Sequence, residues 1–178
     1  MLRLALALGL VACGGSSTTP SDPVEPTSTV ALTVSSPAFA AGAAIPRAFT
    51  CEGANGSPPL AWSGAPDATK AFAVVVDDPD APKGTWVHWV LANIPAATTS
   101  LAAGASAGDA GKTDFGTTGY GGPCPPSGTH HYHFKVYALD AAPLAAAGAT
   151  KADLLRAIAG HVIARGELVA TYQKGAQN

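Results

Sequence analysis

Five stretches of this chain are dense in β-branched and aromatic side chains: residues 31–34, 71–76, 85–93, 130–139 and 161–172. Gly, Pro, Asp and Ser bound each of them, so each is expected as a strand. Turn clusters, Asn55-Gly56-Ser57-Pro58-Pro59 and Ser63-Gly64-Ala65-Pro66-Asp67, lie between them. Residues 151–159 follow helical spacing instead, with Leu154, Leu155 and Ile158 on one side, Thr150 as N-cap, Asp153 as its reciprocal partner and Gly160 as a stop. A second short helix is expected over 141–147. Strands followed by one or two late helices, with no internal repeat, point to a mostly β sandwich with helical decoration. The 178 residues suit one domain with a sizeable core.

Alternation along the strands sorts side chains onto faces. In 85–93, Trp86, His88, Val90 and Ala92 share one face and Val87, Trp89, Leu91 and Asn93 the other. Both faces are largely apolar, so this strand is expected to be central and covered. His88 then sits among hydrophobic neighbours, where burial lowers its pKa unless a carboxylate compensates. Asp78 and Asp80, in a Pro-stiffened turn after 71–76, are the candidates for that role. In 130–139, His130 and Tyr132 stand at one end of an apolar face; His131, His133, Lys135 and Tyr137 share the opposite one, of which His131, His133 and Lys135 read as solvated.

Charge removes some partners. The formal net charge is -2 and no run of Lys or Arg occurs, so neither a nucleic-acid footprint nor a polybasic membrane patch is present. The N-terminus instead carries an address. Residues 1–12 combine an early Arg3, an apolar run and a small residue before Cys13, the layout of a secretory signal. The run is far shorter than the ~20 residues that span a bilayer. Leu10-Val11-Ala12-Cys13 resembles the lipobox of bacterial lipoproteins, which implies lipidation at Cys13 and membrane attachment through that anchor alone. Gly14 after the cysteine resembles the pattern sent to the outer membrane, facing the periplasm. Residues 13–30, rich in Gly, Ser, Thr and Pro, read as a tether, leaving 31–178 as the domain. Two cysteines remain, Cys51 and Cys124. They are either a disulfide, as an even pair in an exported protein suggests, or two buried thiols.

With only 12% charged residues, the chain gathers Asp, His, Tyr and rigid Gly/Pro turns between 77 and 137. Singly, a core His or a Pro-Asp turn is most often structural. Together with the loop Gly121-Gly122-Pro123-Cys124-Pro125-Pro126, which leads into His130 and Tyr132, they form a candidate site. Glycine N–H groups in such a loop can cradle an anion, and His and Tyr add donors for phosphate or carboxylate oxygens. The same residues could serve acid–base hydrolysis or hold zinc. No His-Glu-x-x-His motif and no activated Ser or Cys arrangement supports that, so neither enzyme activity nor a metal is expected. A module acting through its surface is the third class.

Several ordered motifs carry a family resemblance: Phe49-Thr50-Cys51-Glu52-Gly53, Ser57-Pro58-Pro59-Leu60-Ala61-Trp62, Asp78-Pro79-Asp80-Ala81-Pro82, Trp86-Val87-His88-Trp89, Asp114-Phe115-Gly116, Gly119-Tyr120 through Pro126, His130-His131-Tyr132 and Gly160-His161-Val162. Over residues 34–173 the chain resembles the phosphatidylethanolamine-binding protein family in its bacterial Raf-kinase-inhibitor-like branch. The resemblance implies an antiparallel β-sandwich with a small anion pocket and no cofactor. It implies that Asp78, His88, His130 and Tyr132 line that pocket, that Gly122 and Pro123 supply its rim, and that Asp80 supports the turn. Phosphorylated head groups such as phosphoethanolamine are the implied ligands, and inhibition of a protein target such as a protease accompanies them; a Raf-type kinase does not suit an exported protein. His131 stands where many members carry Arg, which weakens fixed positive charge at the mouth.

Overall fold

The computed structural model describes residues 23–105 and 107–176. The expected signal, Cys13 and residues 14–22 of the expected tether lie outside the described residues. Eight strands and one α-helix follow in the order β1 (Thr33–Ser35), β2 (Leu60–Ser63), β3 (Ala71–Asp78), β4 (Trp86–Pro95), β5 (Ser100–Leu101), β6 (Asp109–Ala110), β7 (Thr129–Leu139), α1 (Lys151–Ile158) and β8 (Val162–Gln173). They build two antiparallel sheets, β1-β2-β5 and β6-β4-β3-β7-β8, in one domain. The long apolar runs became the central strands of the larger sheet, where β-branched residues fit a surface covered on both sides.

Two cores cover that sheet. On its front, Phe72, Val74 and Val76 of β3 and Phe134 and Val136 of β7 pack against Leu60 and Trp62 of the small sheet. On its back, Ala73, Val75, Val90 and Tyr137 pack under Leu154, Leu155 and Ile158 of α1. Every residue of β3 is consequently buried. The capping box of α1 forms as expected, with Thr150 Oγ1 accepting from Asp153 N and Asp153 Oδ2 accepting from Thr150 N.

Four expectations need correction. The segment 141–147 is bends and irregular backbone rather than a helix. Pro143 removes a donor, and Leu144 N donates to Asn93 Oδ1 at 2.9 Å instead of closing a helical turn. The side chains of β7 expected to be solvated are so only toward its start: Lys135 is largely covered and paired to Asp77, next to the fully buried Tyr137. Residues 23–30, expected as the end of the tether, bind the sheet through polar contacts that composition does not reveal. Ser28 Oγ donates to Ile163 O at 2.9 Å, and Arg165 Nη1 donates to Pro26 O at 3.2 Å.

The fourth correction concerns His88. Regular alternation groups it with Val90 and Ala92, which lie on the back of the sheet with Val87. The pairing shows why it is not there: Asp77 faces Val87 while the next residue along β3, Val76, faces Trp89. One extra residue, His88, is accommodated by a bulge that resets the parity of β4. His88 and Trp89 both turn to the front, where His88 meets Tyr132 with ring centroids 5.2 Å apart.

Candidate functional site

At one edge of the front face, the end of β3 and the starts of β4 and β7 meet. Alternation on β3 sends Asp77 to the back and Asp78 to the front, beside His130 and Tyr132 of β7 and the bulged His88 of β4. These four side chains border a cavity of 190 Å³, completed by Ala81, Pro82, Trp86, Phe115, Cys124, Pro125 and Pro126. Cavities of 500 and 460 Å³ lie elsewhere, around Trp62 and around Lys151. Size therefore does not mark the site; the convergence of two imidazoles, a carboxylate and a phenol does.

Hydrogen bonds set the tautomers. His88 Nδ1 lies 2.6 Å from Gly121 O, and a carbonyl can only accept, so Nδ1 carries the proton. Gly121 N returns a bond to His88 O at 2.9 Å. Burial holds the His88 pKa below its ordinary value, although the Gly121 carbonyl and the charge of Asp78 oppose the shift. In the neutral ring Nε2 is thus an acceptor. His130 Nδ1 donates to Asp78 Oδ2 at 2.7 Å, while Asp78 Oδ1 accepts from Asp80 N at 2.9 Å. Both carboxylate oxygens of Asp78 are engaged, and the ring of His130 is oriented by the pair as a metal ligand or base would be.

Tyr132 is different. Its side chain is buried, yet its hydroxyl has no partner among the described residues. Burial and the neighbouring Asp78 carboxylate push its pKa up, so the hydroxyl stays protonated and able to donate. An unpaired buried hydroxyl costs ~1–3 kcal/mol, which a bound acceptor would recover.

Asp78, His88, His130 and Tyr132 are brought together as expected. Gly122 and Pro123 are not on the rim. Gly122 N donates to Asn55 Oδ1 at 2.8 Å and Pro123 O accepts from Cys51 N at 3.1 Å, so both fasten the loop to its neighbour. With Gly121 N and Gly122 N spent in this way, the loop offers no N–H cradle from these two glycines. A Cβ at Gly122 would come within 2.4 Å of Asn55 Oδ1 and 2.6 Å of Phe49 O, so the tight docking itself requires glycine. The rim is made instead by Cys124, Pro125 and Pro126, and Cys124 is bonded to Cys51, which decides between disulfide and thiols. Asp80 also leaves the pocket: its Oδ2 accepts from His131 N at 2.8 Å and His131 Nδ1 at 2.7 Å, out in solvent. Its backbone still braces Asp78.

Two walls were missed. Phe115 packs edge-on to His88 at 5.3 Å and to Trp86 at 5.5 Å. Its ring presses so close to Gly121 that a Cβ there would lie 2.4 Å from it. Trp86 shares a face with His88 in the alternation and Phe115 lies within Asp114-Phe115-Gly116, but an apolar side chain carries no chemistry of its own that marks it in the sequence as a pocket wall. Among the described residues no three His, Cys, Asp or Glu side chains are grouped to hold a metal ion.

Comparison with known proteins identifies the family and the fold. A family model described as phosphatidylethanolamine-binding protein matches residues 35–173. A UPF0098 protein of Methanothermobacter thermautotrophicus is 46% identical over 140 residues, covering 74% of this chain and 91% of its own length. A Mycobacterium tuberculosis protein named "Putative lipoprotein LppC" is 40% identical over 192 residues, covering 96% of this chain and 92% of its own. The crystal structure of CT736 from Chlamydia trachomatis, named as a homolog of the same family, superposes with a TM-score of 0.78 at 39% identity, over 82% of this chain and 99% of CT736.

Proposed function

The chain belongs to the phosphatidylethanolamine-binding protein family, and from that membership we propose that it is an exported lipoprotein whose pocket binds small phosphorylated head groups such as phosphoethanolamine. The observation that carries this reading is the unpartnered Tyr132 hydroxyl, buried beside two imidazoles in a 190 Å³ cavity. That volume is below the ~300–1,000 Å³ of pockets for drug-sized ligands, so it suits a head group rather than a whole lipid.

The groups divide the work. The Tyr132 hydroxyl donates to a phosphate oxygen, and His130, its ring oriented by Asp78, offers Nε2 to a second. Neutral His88 accepts at Nε2, from a protonated phosphate oxygen or from the ligand's ammonium. Phe115, Trp86 and the Pro125-Pro126 edge exclude water and strengthen these bonds. Attachment through Cys13 would place the pocket outside the cytoplasm, as the likeness to a mycobacterial protein named for a lipoprotein supports.

The His130–Asp78 pair favours one second reading, hydrolysis of a phosphate ester by water activated at His130 Nε2. Titration of the protein with phosphate and phosphoethanolamine, followed by NMR of the His and Tyr resonances, tests both. Shifts of His88, His130 and Tyr132 that saturate by millimolar ligand, with the ester intact, support binding. No shifts in that range would overturn it, and release of free phosphate that stops in His130→Ala would favour hydrolysis.

A further inference from the structure

The back of the large sheet holds a second polar cluster, and it involves the segment that leads toward the anchor. Asp77, 1% exposed, is bonded to Lys135 at 3.0 Å and to Lys151. Glu25 reaches the same lysines at 3.1 and 3.2 Å and accepts from the Tyr137 hydroxyl. Two carboxylates thus face two ammoniums, and burial makes breaking any member expensive. Glu25 is in this way a latch that fixes where the chain meets the domain.

The latch sits near the ligand pocket in the plane of the sheet, on its opposite face. Pro23 lines the 460 Å³ cavity together with Thr85 and Asp114. Those two residues immediately precede Trp86 and Phe115, the outer walls of the ligand pocket. Asp114 is tied to β4 through Val87, accepting from its N at 2.7 Å and donating to its O at 3.1 Å, so this adjacency is rigid. The chain therefore leaves the domain at the pocket end.

That end is also where apolar surface is exposed. Phe115 is 44% exposed and Trp86 36%, and Val24, next to Pro23, is 89% exposed. They are three of the four large hydrophobic side chains exposed among the described residues, the fourth being Val30. Trp and Phe at a domain edge match the side chains that favour a bilayer's head-group layer.

Distance then selects the occupant. Residues 13–22 span at most ~36 Å even fully extended. A domain of this size has a radius of gyration of ~15 Å and hence a breadth of ~38 Å, so the end from which the chain departs is the end kept beside the anchor. We infer that the domain seats its Trp86–Phe115 rim on the head-group layer of the membrane that holds Cys13, so that the pocket samples head groups in place. This rests on the reading of Cys13 as lipidated.

The test uses the full lipidated chain in vesicles of phosphatidylethanolamine and phosphatidylglycerol, with and without brominated acyl chains that quench tryptophan. Trp62 and Trp89 are buried and give a constant background. Bromolipid is expected to quench emission, and the quenching to be lost in Trp86→Phe. In Glu25→Gln the exit is released, and quenching is expected to fall while soluble phosphoethanolamine still binds, because Glu25 does not line the pocket. Should Glu25→Gln fail to fold, Phe115→Ser at the exposed rim is read instead, with weaker quenching expected. Equal emission in brominated and plain vesicles, quenching that survives Trp86→Phe, or a mass spectrum showing Cys13 unacylated overturns the proposal. Absent quenching with phosphoethanolamine bound in solution sinks the docking alone; quenching without such binding sinks the ligand reading alone.

Discussion

Asp77 and Asp78 are neighbours on one strand, both buried, and they belong to opposite kinds of site. Asp77 turns to the back, where Lys135 and Lys151 neutralise it together with Glu25, and the Tyr137 hydroxyl donates to the Glu25 carboxylate. Asp78 turns to the front, where it orients His130 and lies near the Tyr132 hydroxyl, which has no well-formed hydrogen bond among the described residues. The back cluster spends its hydrogen-bonding capacity within the chain; the front one keeps capacity in reserve. Titratable residues crowded together do not distinguish a structural network from a binding site, whereas unsatisfied donors and acceptors do.

Substitution at the two aspartates should separate these roles, with the largest effect on the back. Asp77→Ala leaves two largely buried ammoniums facing only Glu25, and ~3–5 kcal/mol of stability is expected to go, with no change in phosphoethanolamine affinity among molecules that remain folded. Asp78→Ala leaves His130 Nδ1 and Asp80 N unpaired, a smaller cost of ~1–3 kcal/mol. It should lower affinity for phosphoethanolamine as well, because His130 loses the hydrogen bond that orients its ring. Urea denaturation and ligand titration of both variants measure this; equal loss of affinity in the two would erase the distinction.

What could be foreseen followed the physics that acts locally. Dense β-branched runs announced the long strands, and Thr150 with Asp153 announced α1, because propensity and capping depend on adjacent residues. Strand β2, two of whose four residues face the core, and the two-residue β5 and β6 were not foreseen, since partners across the sheet and not their own composition make them strands. The pocket quartet was legible from spacing and family motifs. Even so, the reason His88 faces it was not: alternation pointed to the back, and only the bulge against Asp77 and Val76 corrects the parity. Gly122 and Pro123 were misplaced because a rigid Gly/Pro loop looks alike whether it cradles a ligand or docks onto Asn55 and Cys51. Lys135 read as solvated because one of its partners, Glu25, is 110 residues away in sequence.

Acid should probe the front selectively. Burial holds His88 neutral in the folded protein at a pKa below 6.5, while Asp78, Asp77 and Asp114 pull weakly the other way. As pH falls below ~6.5 the unfolded chain takes up the proton first, so stability declines and levels off only below the folded-state pKa. His88→Phe removes this contribution, and its stability should fall less than the wild type's between neutral pH and pH ~5. Parallel slopes in thermal melts across that range would show that His88 does not titrate as its surroundings require.

The finest comparison is between two tyrosines of β7 five residues apart, Tyr132 on the front and Tyr137 on the back. Each loses one oxygen on substitution by Phe, with ring and packing retained, so their differences isolate the hydroxyl. At Tyr137 the hydroxyl donates to Glu25, and its loss weakens a satisfied network by ~1–2 kcal/mol while leaving the pocket untouched. At Tyr132 the hydroxyl has no partner, so its loss removes a buried unpaired group and stability should hold or rise by up to ~1 kcal/mol. Ligand affinity moves the other way: a hydrogen bond to a phosphate oxygen is worth ~1.5–3 kcal/mol, so Tyr132→Phe should weaken phosphoethanolamine roughly 10- to 100-fold. A variant that is as stable as the parent yet binds poorly is the mark of a group kept for a ligand. Tyr132→Phe destabilised as much as Tyr137→Phe, with affinity unchanged, would mean that the front hydroxyl is structural and that the contrast between the two faces fails.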